Sequence, residues 1–123
     1  MKKVLLDTNF ILTCIRNKVD FFEEIQLLGI TIIIPEQVIK EIERISTSQK
    51  KLRFREEAKI ALNMLKKSPF KKISLENKNV DNGIAKLAKK DKSIIIATLD
   101  KELQGKFPNQ KLIIRQKKKL EVI

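Results

Sequence analysis

Asp7, Glu41, Asp81 and Asp100 are the residues of this chain whose type and placement could do chemistry. Asp7 and Asp100 each end a short apolar run, Val4-Leu5-Leu6 and Ile94-Ile95-Ile96-Ala97-Thr98-Leu99, while Glu41 and Asp81 lie on amphipathic stretches. Strands of a parallel sheet buried on both faces read as such continuous apolar runs, and ligands gather outside their carboxyl ends where the strand order reverses. Carboxylates brought to one such edge repel unless cations sit between them, and hard oxygen donors suit Mg²⁺ or Mn²⁺. The chain has no histidine. A histidine general base, a Ser-His-Asp triad and a histidine-rich zinc site are therefore excluded, and any hydrolysis must rest on carboxylates, lysines or metal.

Each acid also has a purely structural account. Asp7 and Asp100 could be helix N-caps, and Asp81 could serve a helix dipole. The dipole account leaves unexplained why Asp81 falls at i+3 and i+7 from Ile84 and Ala88, on the side that turns toward the core. Glu41 follows Val38 by three and precedes Ile45 by four, but Glu43 flanks the other margin of the same stripe, so spacing does not choose between them. Four carboxylates compatible with one sheet edge together favour a metal site over four separate structural roles.

The elements that must position these residues follow from hydrophobic periodicity. Residues 3–6 read as a buried strand, followed by a helix carrying Phe10, Ile11, Leu12 and Ile15, with Thr8 or Asn9 as its cap. A helix over 20–28 stops at Gly29, residues 31–34 form a second strand, and Pro35 opens a helix running to about residue 45. Residues 46–51 are a polar loop. A helix over 55–67 ends at Ser68-Pro69, a short strand covers 72–75, and Asn77 to Asn79 cap a helix over 80–90. A strand over 94–99, a short helical turn through Leu103 and a strand over 112–115 complete the pattern. This alternation indicates an α/β fold with a mainly parallel sheet and right-handed crossovers. The 123 residues fit a single domain spanning 1–123, in which 116–123 is an edge strand, a docking segment or a frayed tail.

Twenty-seven Lys and Arg against fifteen Asp and Glu give a net charge of +12, which attracts polyanions such as nucleic acid. The competing account is a charged surface that reflects compositional bias or adaptation to heat. The apolar runs are far shorter than the roughly 20 residues of a membrane helix, and no single helix sets a basic face against a large apolar one. The expectation is a cytoplasmic protein without membrane contact. Cys14 lies among apolar neighbours and reads as a buried structural thiol.

Four stretches taken together resemble the PIN domain family of metal-dependent ribonucleases. Leu5-Leu6-Asp7-Thr8-Asn9 is similar to the family's opening strand, and Pro35-Glu36-Gln37-Val38-Ile39-Lys40-Glu41-Ile42 to its second element, whose Glu is a ligand. Asn79-Val80-Asp81-Asn82-Gly83-Ile84 resembles the third, and Ala97-Thr98-Leu99-Asp100-Lys101-Glu102-Leu103 the fourth. The resemblance spans nearly the whole chain and chooses Glu41 over Glu43. It implies a three-layer α/β/α fold around a five-stranded parallel sheet of order 3-2-1-4-5. Asp7, Glu41, Asp81 and Asp100 would then be catalytic and hold one or two Mg²⁺ or Mn²⁺ ions, with Thr8, Asn9 and Thr98 supporting the ligands or meeting phosphate.

The implied activity is endonucleolytic hydrolysis of RNA to 5′-phosphate and 3′-OH ends, either in ribosomal-RNA processing or as a VapC-type toxin. The implied partners are RNA, a ribosomal precursor or a small antitoxin protein, with a homodimer left open. For the RNA track the densest positive runs supply Lys50, Lys51, Arg53 and Arg55 and, near the end, Lys117, Lys118 and Lys119, unless these are merely solvated faces. Phe54 could stack a base or sit in the core. A non-cleaving RNA-binding or ribosome-assembly protein of the same fold is the alternative, and four intact carboxylates argue against it. A phospho-receiver domain would need an Asp ending the third strand, and the run over 72–75 has none.

Overall fold

The computed structural model describes residues 2–123. Strand and helix alternate as β1 (Lys3–Leu6), α1 (Thr8–Arg16), α2 (Phe21–Leu27), β2 (Thr31–Pro35), α3 (Glu36–Ser46) and α4 (Leu52–Lys67), then β3 (Lys71–Ile73), α5 (Val80–Lys90), β4 (Ile95–Ala97), α6 (Lys101–Gln104), β5 (Leu112–Arg115) and β6 (Lys119–Val122). The first four strands form one parallel sheet in the order β3-β2-β1-β4. Val4 lies opposite Ile32 on one side and Ile95 on the other.

Because side chains alternate across a strand, β1 sends Val4 and Leu6 to one face and Leu5 to the other. Val4 and Leu6 join Ile32, Ile34, Ile95 and Ala97 beneath α1, α2, α3 and α4, whose Phe10, Phe21, Val38, Ile42, Ala58 and Ala61 fill that layer. Leu5, Ile33 and Ile96 pack under α5 through Ile84, Ala85 and Ala88, with Leu103 of α6 beside them. This is the three-layer α/β/α arrangement, and it explains why the strands read as unbroken apolar runs. Each fully buried Leu or Ile contributes about 1.5–3 kcal/mol by leaving water. Cys14 is buried in the first layer, and burial pushes its thiol up to about 12.

Helix ends follow local chemistry. Asp20 caps α2 by accepting from the Glu23 N–H at 3.1 Å, and Gly29, at φ +72°, ends that segment in the left-handed region glycine tolerates. Asn79 caps α5 through the Asn82 N–H at 3.0 Å. The cap of α1 is Asp7 rather than Thr8 or Asn9, since its carboxylate accepts from the adjacent Thr8 N–H. Pro35 both closes β2 and stands as the N-cap of α3, and α4 begins at Leu52, so the basic run over 50–55 straddles a helix start.

The expected fifth parallel strand is not part of the sheet. Lys111, just before β5, makes a single parallel bridge with Ile96 of β4, and β5 pairs instead with β6 in an antiparallel hairpin. Gln116 and Lys117, at φ +54° and +64°, turn the chain back sharply, so the tail over 116–123 supplies the turn and edge strand that take β5's backbone groups. Leu120 of that strand donates its N–H to Glu24 of α2 at 3.4 Å.

Candidate metal centre and adjoining groove

All four sheet strands run the same way, so their carboxyl ends share one edge, and Asp7 is the most deeply set acid on it. Its N–H donates to the Ala97 carbonyl at 3.0 Å, which joins the end of β1 to the end of β4. Its side chain is 8% exposed; one oxygen accepts from the Thr8 N–H at 2.8 Å and the other from the Thr98 hydroxyl at 2.9 Å. Burial raises the Asp7 pKa above its ordinary value, the hydrogen bonds from Thr8 and Thr98 pull it down, and the charges of Asp81 and Glu41 push it up again. Glu41 and Asp81 are thus each brought within electrostatic reach of Asp7.

Asp100 joins them through Thr98. The fully buried Thr98 hydroxyl donates to Asp7 and accepts from the Asp100 N–H at 3.2 Å, while its carbonyl accepts from the Gln104 side chain at 2.7 Å. Asp100 itself is exposed and caps α6 through the Glu102 and Leu103 N–H groups. The structural and chemical accounts therefore coincide at Asp7 and Asp100: a cap also fixes a carboxylate at the sheet edge.

Glu41 is half-buried on α3, whereas Glu43 is exposed, and only Glu41 acts on Asp7. Asp81 is exposed at the rim rather than turned toward the core, because Gly83, Ile84, Ala85 and Ala88 are the α5 residues that meet the sheet and its loops. Three residues that frame this edge gave no functional signal in sequence. Gln37 clamps the Leu75 backbone from both sides, donating to its carbonyl at 2.8 Å and accepting from its N–H at 3.2 Å. Gly83 presses on the same residue, since a Cβ there would lie 3.0 Å from the Leu75 Cβ. Gln104 locks Thr98. A glycine inside a helix is the one visible hint among them.

Among the described residues no three acidic side chains converge tightly enough to form a closed metal cage. The fit to a divalent cation is instead one of charge and donor type. The acids offer only hard oxygens, and the repulsion from Asp81 and Glu41 that adds to the effect of burial on Asp7 is the kind a cation relieves.

Beside Asp100 lies a groove of about 560 Å³ with Asn9, Arg16, Lys50, Phe54 and Leu99 on its walls. Lys50 thus shares the groove with Asp100. Lys51 and Arg53 are exposed near it, whereas Arg55 is half-buried with its Nε out of solvent. Thr8 is buried and Asn9 exposed, so only Asn9 presents a side chain toward a bound molecule. Lys117, Lys118 and Lys119 stand exposed at the β5–β6 turn and do not line the groove.

The sequence profile of the family described as PIN like domain matches residues 4–118. Ribonuclease VapC4 of Methanocaldococcus jannaschii is 30% identical to this chain over 128 residues, which cover 99% of this chain and 97% of that protein. The solved PIN domain endonuclease Utp24 superposes with a TM-score of 0.76 at 27% identity, covering 98% of this chain and 90% of its own. VapBC2 from Rickettsia felis, solved bound to a DNA fragment from its promoter, matches at a TM-score of 0.60 and 20% identity over 87% of this chain and 94% of that one; this likeness is one of fold alone.

Proposed function

Because the chain belongs to the PIN-like domain family, we propose that it is a Mg²⁺- or Mn²⁺-dependent endoribonuclease that hydrolyses RNA to fragments with 5′-phosphate and 3′-OH ends. The observation that carries this reading is the buried Asp7 carboxylate, pressed by the charges of Glu41 and Asp81 and tied through Thr98 to Asp100. Those four acids are the residues that would hold one or two ions. When bound, a divalent cation supplies charge for the phosphate oxygens and acidity for an attacking water.

The chain's own groups do the rest. Thr98 orients Asp7 and opposes the effect of burial on it, because a donated hydrogen bond favours the charged form. Glu41, at the margin of the core, can accept a proton from a water and aim it. Asn9 and Lys50 stand where they can meet phosphate oxygens, and the +12 net charge draws RNA to the surface. With no histidine available, these residues have no obvious means of activating a ribose 2′-OH, which is why the proposed products carry 5′-phosphates.

The biological setting we infer is ribosomal-RNA maturation in the cytoplasm or a toxin's role opposite a small antitoxin, the two settings that the family resemblance of the sequence implies. No helix of the described residues is long and apolar enough to cross a membrane. The test is the chemistry of the ends. RNA cut in the presence of Mn²⁺ should give fragments that a ligase joins directly through their 5′-phosphate and 3′-OH ends, and that it no longer joins once phosphatase has removed the 5′-phosphates. A 2′,3′-cyclic phosphate, or cutting that persists in EDTA, would overturn the reading.

A further inference from the structure

The groove beside Asp100 has apolar walls that phosphate chemistry does not call for. Leu12 is buried along it, Ile45 and Phe54 are half-buried, and Leu99 stays 37% exposed at its lip, next to an acid, where a polar residue would cost nothing. One side is also held rigid. Arg16 donates to both oxygens of the buried Glu57, at 3.0 and 2.9 Å, and this fork holds its guanidinium 5.6 Å from the centre of the Phe54 ring. Arg53 flanks the same ring at 4.9 Å. The volume lies within the range of about 300–1,000 Å³ common to small-ligand sites.

Phosphate oxygens need only the exposed lysines and amides. A nucleobase, in contrast, has two flat faces that stack on aromatic rings and guanidinium planes, with aliphatic groups closing the edge. We propose that this groove is a nucleobase subsite: it takes one unpaired base of the RNA close to the scissile phosphate, stacked on the Arg16 guanidinium that Phe54 backs and covered by Leu99. The inference rests on the endoribonuclease reading and deepens it. The subsite places one position of base dependence next to the cut.

The experiment uses the full chain and a short single-stranded RNA carrying 2-aminopurine or an abasic site at successive positions. The protein has no Trp or Tyr, so the probe's emission is read against a dark background. With Ca²⁺ replacing Mn²⁺ to permit binding without cutting, 2-aminopurine at one position near the cleavage site should be quenched on binding. With Mn²⁺, an abasic site at that position should raise KM roughly tenfold, the scale of one lost base stack, and leave kcat nearly unchanged. Leu99→Ser, a lip residue whose loss leaves the core intact, and Phe54→Ala should each erase the difference between intact and abasic RNA. Wild-type cleavage that tolerates an abasic site everywhere, or an abasic penalty that survives whole in Leu99→Ser, overturns the subsite while leaving the nuclease reading standing. Failure of the wild-type chain to cut any RNA with Mn²⁺ overturns both.

Discussion

Thr98→Val removes one oxygen and keeps the side chain's shape, so it tests what holds Asp7 rather than how the core packs. The lost hydroxyl gives Asp7 one of its two donors, at 2.9 Å, and receives the Asp100 N–H at 3.2 Å. A hydrogen bond to a charged group is worth about 1.5–3 kcal/mol and a neutral one about 0.5–1.5 kcal/mol. In the metal-free protein the burial that already raises Asp7 would act with one fewer opposing bond, so its pKa moves further up. Loss of a residue that orients a ligand typically costs about 10–100-fold in metal affinity.

Calorimetric titration with Mn²⁺ near neutral pH should therefore show affinity falling by at least about tenfold in Thr98→Val. Thr98→Ser, which keeps the hydroxyl, should recover most of it. The defect should deepen as pH falls, since a carboxylate with a higher pKa is more often protonated and closed to the metal. Wild-type affinity and pH dependence in Thr98→Val would refute the claim that Thr98 positions Asp7.

Asp7→Asn, Glu41→Gln, Asp81→Asn and Asp100→Asn should each lower Mn²⁺-dependent RNA cleavage at least roughly tenfold with the fold retained, while Glu43→Gln does little; full activity in two of the four, or an inactive Glu43→Gln, would break the assignment. Gly83→Ala puts a Cβ 3.0 Å from the Leu75 Cβ, so denaturant titration should register a loss of about 1–3 kcal/mol from overpacking, and cleavage should fall because the first turn of α5 carries Asp81; a variant as stable and active as wild type would show that α5 has room to shift. The metal-free protein should also lose stability as pH rises: Asp7's folded pKa lies above 3.8, so its contribution is fully present below that value and is lost as pH climbs through the folded pKa. Millimolar Mn²⁺ should raise the melting midpoint near neutral pH by binding the native state, and identical melts in Mn²⁺ and EDTA would count against a metal site.

The parts of this fold written in local sequence are those fixed by periodicity and by short-range capping. Val80–Lys90 and Leu112–Arg115 occur where the apolar spacing puts them, because burial of an apolar stripe decides both and Asn79, accepting from an N–H three residues on, fixes the start of the helix. The parts not written there depend on partners distant in sequence. β5 had the composition of a fifth parallel strand, but backbone groups bond to whichever strand reaches them, and the left-handed turn at Gln116 and Lys117 delivered β6 first. Asp81 obeyed helical spacing toward Ile84 and Ala88, yet at the first turn of a helix that direction leads off the end of the sheet into solvent. The same distinction separates the acids from their frame. Asp7 and Asp100 were legible because a charge ending an apolar run has few explanations. Thr98, two residues before Asp100 and named in sequence only through the family resemblance, gains its role from a contact with a residue 91 positions away, and Gln37 from one 38 positions away. A carboxylate's identity can be read from the chain; what keeps it ionised and aimed is a property of the packed edge, and it is there, at Thr98, Gln37 and Gly83, that substitutions sparing every acid should still silence the site.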